Sequence, residues 1–315
     1  MRYSRARRER WAERLVTSAV VGQDTIGWYQ RQVDAALPDL LDDLLSGVAE
    51  VTAAPIRYAV LGHGKRIRPL LLMAAFKATG GRAEDAARIA CSVELVHAYS
   101  LVHDDLPCMD DDVLRRGRPT LHVRFGVRTA VLAGAAMMPL AVRTIGLSRH
   151  ALGLTASAAA QLVVRLTAAS GGAGMVGGQL LDLRAEGRSV MPDELERIHT
   201  GKTAKLMAAS VAMGGIAARA QAVDVDRLER FGLRFGLAFQ AIDDILDMSG
   251  TTDELGKESG RDEVLRKATY PAVYGLPEAE RLSRELVRSA AAELDGLPEP
   301  DDLRMIAKWI LARRH

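Results

Sequence analysis

Apolar residues recur at helical spacing along most of the chain, and clusters of Gly and Pro divide them into segments. The expected breaks lie at Gly80-Gly81, around Arg116-Gly117, at Gly171-Gly172, from Gly187 to Pro192, at Gly214-Gly215 and from Gly250 to Gly260. Helical pattern fills the spaces between them. Pro69 suits the first turn of a helix through LLLMAAFKA, because proline has no amide hydrogen to lose there. A second helix is expected over about 84–105 and another over about 226–248.

The last of these carries FGLAFQAIDDILDM. Gln240, Asp243, Asp244 and Asp247 stand at i, i+3, i+4 and i+7 and therefore share one face. The remaining positions wrap the helix in apolar side chains, which places it in a core. Three unpaired carboxylates in a core would be very costly, so the stripe must face an internal cavity. Hard divalent cations are their natural partners, since Mg²⁺ binds one or two carboxylates together with substrate phosphates.

A second acidic motif, HDDLPCMDDD, ends the helix over 84–105. Six positions of regular helix would turn Asp110 away from Asp104. Pro107 breaks the helix and lets the chain bulge, which brings Asp110 back toward the same ion. Two Asp clusters on separate helices could thus face each other across a cavity, around something more anionic than one carboxylate.

Composition agrees with helices: the 315 residues are rich in Ala and Leu and only 4% aromatic. A net charge of +2 argues against a dedicated nucleic-acid binder, although residues 1–25 begin with a basic run. Glu9 and Glu13 interrupt that run and no apolar stretch follows it directly, so no signal peptide is expected. Apolar runs such as TAVLAGAAMMPLAV fall short of the ~20 residues that span a bilayer. Two cysteines, Cys91 and Cys108, make neither a disulfide framework nor a zinc site, and a reducing cytoplasm fits them.

Basic residues suggest the anion. GHGKRIRP supplies Lys65, Arg66 and Arg68 just before a helix, Arg115 and Arg116 follow the first Asp cluster, and Lys202, Lys257 and Lys267 come later. HTGKT is not a phosphate loop, because Glu196 stands where the first glycine is required. Two kinds of diphosphate site are implied, one bound through metal and one bound directly by Arg and Lys.

From GHGKRIRP through HAYSLVHDDLPCMDDDVLRRGRPTLH, GGQLLDL and HTGKT to FGLAFQAIDDILD and LGKESGRDEVLRKATYP, the chain resembles the bacterial trans-isoprenyl diphosphate synthases, closest to the short-chain farnesyl and geranyl diphosphate synthases. The resemblance implies an all-α isoprenoid synthase-type bundle with a central active-site cavity, formed by residues 1–315 as one domain with about 1–25 peripheral, usually as a homodimer. It implies Asp104, Asp110 and Asp243 as principal Mg²⁺ ligands for three ions, which Mn²⁺ could replace, with Asp105, Asp244 and Asp247 in support. Arg115, Lys202, Thr203, Gln240, Lys257 and Lys267 would hold the allylic diphosphate, and Lys65, Arg68, His97 and Arg116 isopentenyl diphosphate. Gln179 fits the same cavity or a buried structural hydrogen bond.

Such an enzyme ionises the allylic diphosphate, adds isopentenyl diphosphate to the cation and loses a proton to the released diphosphate. Ser100 lies one turn below Asp104 and should border the hydrocarbon tunnel, while the resemblance places the Tyr99 ring as its floor. Geranyl or farnesyl diphosphate is the expected product, farnesyl favoured, with geranylgeranyl diphosphate, a class I terpene cyclase-like reaction or a non-catalytic partner subunit as alternatives. One departure stands out. Where the family reads LAGD, this chain reads LAGAAMMPLAV, with Ala135 replacing Asp; Pro139 is expected to kink or interrupt that helix, and Met137 could reshape the tunnel.

Overall fold

The most apolar segment of the chain sits at the centre of the molecule. In the computed structural model, which describes residues 5–249 and 267–312, every residue from Leu206 to Ala217 is buried. In chain order the helices are α1 (Arg5–Leu45), α2 (Glu50–Val60), α3 (Ile67–Ala78), α4 (Ala87–Asp104), α5 (Leu121–Phe125), α6 (Val127–Ser148), α7 (Ala156–Ser170), α8 (Met175–Ala185), α9 (Pro192–His199), α10 (Lys205–Ala217), α11 (Ala222–Ser249), α12 (Tyr270–Tyr274), α13 (Leu276–Glu293) and α14 (Asp301–Ala312). Among the described residues the only strands are β1 (Leu114–Arg115) and β2 (Arg118–Pro119), which pair antiparallel around Arg116 and Gly117.

The all-α expectation holds, and α10 is its axis. It packs on α3, α11 and α7, while α4 packs against α1, α3 and α6. Each large apolar side chain buried in these layers contributes roughly 1.5–3 kcal/mol. The break expected at Gly214-Gly215 does not occur: both residues lie inside α10. Their smallness serves packing instead, since a Cβ on Gly214 would lie 2.3 Å from the Leu72 carbonyl oxygen of α3. The other expected breaks fall between helices, except Gly250 to Gly260, which lies outside the described residues. The helix expected from 84 begins as a short 3₁₀ turn, Ala83–Ala86, before α4.

The unusual segment around Ala135 also differs from expectation. α6 runs through Pro139 without interruption. Pro139 and Ala135 are exposed, so the ring and the missing carboxylate both lie on the outer face. Met137 is fully buried but does not border the central cavity. At 22 residues α6 is longer than its sequence run suggested, and by length and composition alone it could cross a membrane. In this structure it is a wall of the bundle, with Ala130, Ala133, Met137, Ala141 and Ile145 turned inward.

Candidate active site

Between α4, α8 and α11 lies a cavity of about 1620 Å³, bordered by both acidic motifs and by all the basic segments named above except that of Lys257, which lies outside the described residues. Its first wall is the end of α4. The helix stops at Asp104, and the chain bulges across Pro107 so that the Asp110 amide donates to the Asp104 carbonyl over 2.9 Å. Asp111 completes the bend with φ 51°, in the left-handed region that Asp tolerates better than most residues. His97, two turns before Asp104, borders the same space, as do Tyr99 and Ser100.

α11 forms the opposite wall with Gln240, Asp243, Asp244 and Asp247. Asp243 is exposed toward the opening, whereas Asp244 and Asp247 are buried. Asp244 accepts hydrogen bonds from Gln240 Nε2 at 2.8 Å and from the Tyr270 amide at 2.9 Å. It thereby ties the segment 267–270, which carries Lys267, to α11. Lys267 reaches across the cavity to Asp110 at 2.9 Å, so one cation already bridges segments 157 residues apart.

The third wall depends on a close crossing. Residues Thr200–Ala204 form a π-helical turn between α9 and α10, with one residue more than an α-turn would hold. Gly201 packs onto Gly178 of α8; a Cβ on Gly178 would lie 2.0 Å from the Lys202 amide nitrogen. The surplus residue lets both Lys202 and Thr203 border the cavity. Lys202 Nζ bonds Asp182 Oδ2 of α8 at 2.5 Å. Burial alone would drive both groups toward neutrality, yet their attraction wins: Lys202 is raised and Asp182 lowered, and both stay charged. The Thr203 hydroxyl donates to Gln240 Oε1 at 2.7 Å, so a chain of bonds runs from Thr203 through Gln240 to Asp244.

The fourth wall comprises the loop before α3 and the β1–β2 hairpin. Lys65, Arg68, Arg115 and Arg116 border the cavity. Burial and the surrounding arginines push His97 well below its usual pKa, so it is neutral. Buried polar atoms without partners among the described residues include Arg68 Nε, His97 Nδ1 and both amide atoms of Gln179. Such atoms are expensive to leave unpaired, and they mark places for a polar guest.

All the residues expected to hold metal or substrate border this cavity except Asp105 and Lys257. Lys257 lies outside the described residues. Asp105 turns from the cavity and accepts from Arg115 Nε at 2.6 Å; Asp112 accepts from the same guanidinium at 2.9 Å. Burial still pushes Asp105 up to about 7, with Arg115 working against that rise. Arg115 is thus clamped by two carboxylates rather than free to swing. Among the described residues neither amide atom of the Gln179 side chain has a hydrogen-bond partner, which favours the cavity role over the buried-bond one.

Asp182 went unassigned in the sequence, although its spacing from Gln179 put it on the same face. Glu94 likewise had no expected role, and Arg66, counted among the cations facing the anion, instead pairs with Glu94; a single Glu within IACSVELVHA was the available signal.

The donor set suits a hard cation, because it is made of carboxylate oxygens and lacks thiolates. Among the described residues no three acidic, His or Cys side chains form a ready-made metal cage. The two acidic walls therefore fit ions whose remaining ligands come from a bound diphosphate and water.

Residues 49–299 match the polyprenyl synthetase family. The chain is 43% identical over 253 residues to the chloroplastic geranylgeranyl pyrophosphate synthase of Capsicum annuum, covering 80% of this chain and 68% of that protein. It is 42% identical over 259 residues to the farnesyl diphosphate synthase of Bacillus subtilis, covering 82% and 87%. Among solved structures, the geranyltransferase of Helicobacter pylori complexed with magnesium and isoprenyl diphosphate aligns with a TM-score of 0.76 at 31% identity, over 91% of this chain and 96% of that one. With this cavity and these relatives, the chain belongs to the polyprenyl synthetase family and is a trans-isoprenyl diphosphate synthase.

Proposed function

We propose that the enzyme condenses isopentenyl diphosphate with dimethylallyl or geranyl diphosphate and that its main product is farnesyl diphosphate. The observation that carries this reading is a shared cavity in which two acidic walls and two separate groups of cations stand around a half-buried tyrosine. Mg²⁺ held by Asp104, Asp110, Asp243 and Asp247 would neutralise charge on the allylic diphosphate as its carbon–oxygen bond breaks. The magnesium in the H. pylori geranyltransferase complex supports Mg²⁺ as the ion.

The chain's own residues do the rest. Lys202, charged through Asp182, faces the departing diphosphate, which keeps the electron pair of the broken bond. The Thr203 hydroxyl reaches the same group once it turns from Gln240. Arg68, Lys65, Arg116 and neutral His97 hold isopentenyl diphosphate, whose double bond supplies the electrons of the new carbon–carbon bond. The proton lost from the neighbouring carbon passes to the released diphosphate. Apolar walls keep water from the cation in the meantime.

Two further features complete the proposal. Exposed Val127, Val131 and Leu132 give α6 an apolar outer face that supports a homodimer. Both cysteines are unpaired, in keeping with the cytoplasm. Purified protein incubated with Mg²⁺, isopentenyl diphosphate and geranyl diphosphate should yield farnesyl diphosphate, and chelation should abolish it. Release of diphosphate without an elongated product would refute the synthase reaction proposed here, and geranylgeranyl diphosphate as main product would replace the chain length.

Tyr99 tests the length directly. Its ring stands edge-on to His103 with centroids 4.8 Å apart and borders the cavity below Asp104. Tyr99→Ala should shift products toward geranylgeranyl diphosphate or longer while the first condensation persists. An unchanged product distribution in an active variant would show that the floor lies elsewhere.

A further inference from the structure

The loop before α3 holds an arginine that the reaction leaves unused. Arg66 adopts φ 49°, uncommon for a residue with a side chain, and its side chain is 3% exposed. Its guanidinium donates to Asp34 Oδ1 of α1 at 2.9 Å, to Glu94 Oε1 of α4 at 2.5 Å and to the Gly62 carbonyl at 2.7 Å. Glu94 is equally buried, and its second oxygen accepts no hydrogen bond among the described residues. From the other side Arg116 presses on the same loop: a Cβ on Gly64 would lie 2.5 Å from Arg116 Nη1. Burial brings Arg68 down to about 10, and Glu94 is the largest charge acting against that fall. Three arginines thus gather around one fully buried carboxylate that stands one turn before His97 on α4.

We propose that Glu94 is the resident counter-anion of the isopentenyl diphosphate site: through Arg66 it keeps the cationic loop assembled while the site is empty. This rests on the assignment of Arg68, Arg116 and His97 to that substrate. Buried like charges repel unless an anion lies among them. A bound diphosphate brings its own negative charge, so the contribution of Glu94 is larger in the empty protein than in the loaded one. By linkage, weakening Glu94 must make stability depend more on the ligand.

Glu94→Gln keeps the shape and an oxygen for Arg66 but removes the charge. In the full-length protein its melting temperature should fall, and saturating isopentenyl diphosphate should raise it by more than it raises the wild type. Equal ligand-induced shifts would overturn the proposal, since a purely structural glutamate lowers both states alike. Arg66→Lys provides a second arm should the first variant not fold. It keeps the charge but cannot bond Asp34, Glu94 and Gly62 together, so the KM for isopentenyl diphosphate should rise roughly tenfold while that for the allylic substrate stays near wild type. Equal rises in both constants would overturn the proposal too. Arg68→Ala separates the two readings: if it raises only the allylic KM, the site assignment itself falls. If it raises the isopentenyl KM while Glu94→Gln shifts like the wild type, only the role of Glu94 falls.

Discussion

Asp104→Ala and Asp243→Ala should each lower turnover by about three orders of magnitude, with little change in helical circular dichroism. The two residues border one cavity from opposite walls and belong to different helices, so neither substitution removes the other's support. Burial raises Asp104 above the usual carboxylate range, with Lys202 opposing the rise, which means that the empty protein holds its charge at a cost. Replacing it with alanine relieves that cost, and stability should hold or improve. The double variant should be scarcely slower than either single one, because groups that bind the same diphosphate act as a unit. Single-turnover measurements of geranyl diphosphate ionisation check this. Near-wild-type rates in either single variant would end the shared-diphosphate reading.

The second large effect is expected at the Lys202–Asp182 pair. Lys202→Met should reduce kcat by about 10²–10³, comparable to losing a donor to a developing anion. Asp182→Asn should cost about 3 kcal/mol of stability, because it leaves a mostly buried ammonium without its carboxylate. Combining Lys202→Met with Asp182→Leu should restore much of the stability, since apolar residues replace a buried ion pair well. Activity should stay low. Denaturant unfolding and turnover measured on the same three proteins separate the roles; recovery of activity in the double variant would show that Lys202 serves the fold alone.

Much of this site could be read along single helices. The face shared by Gln240, Asp243, Asp244 and Asp247 follows from the helical repeat, and the bulge expected at Pro107 is present, closed by a bond from the Asp110 amide to the Asp104 carbonyl. What local spacing could not supply was pairing between distant segments. Asp105 was expected beside a metal, but it meets Arg115 in the hairpin, and Asp244 fastens Tyr270 to α11. Lys202 and Asp182, and Arg66 and Glu94, come from separate helices or loops, and no periodicity in one predicts its partner in the other. The Gly214-Gly215 and Pro139 expectations failed for a related reason. Both treated the residue as punctuation in isolation, whereas α3 requires a glycine against it and an outward-facing proline leaves α6 intact.

The π-turn at Thr200–Ala204 makes chain length as consequential as residue identity. Deleting one residue there would let α9 and α10 fuse into an ordinary helix, a locally comfortable outcome. It would also rotate everything on one side of the deletion by about 100° relative to the other. Lys202 and Thr203 would turn away from the cavity, or Gly201 would lose its seat on Gly178, while every side chain named in the reaction remained present. A substitution in this stretch removes one side chain's contribution, whereas a single insertion or deletion misplaces several at once.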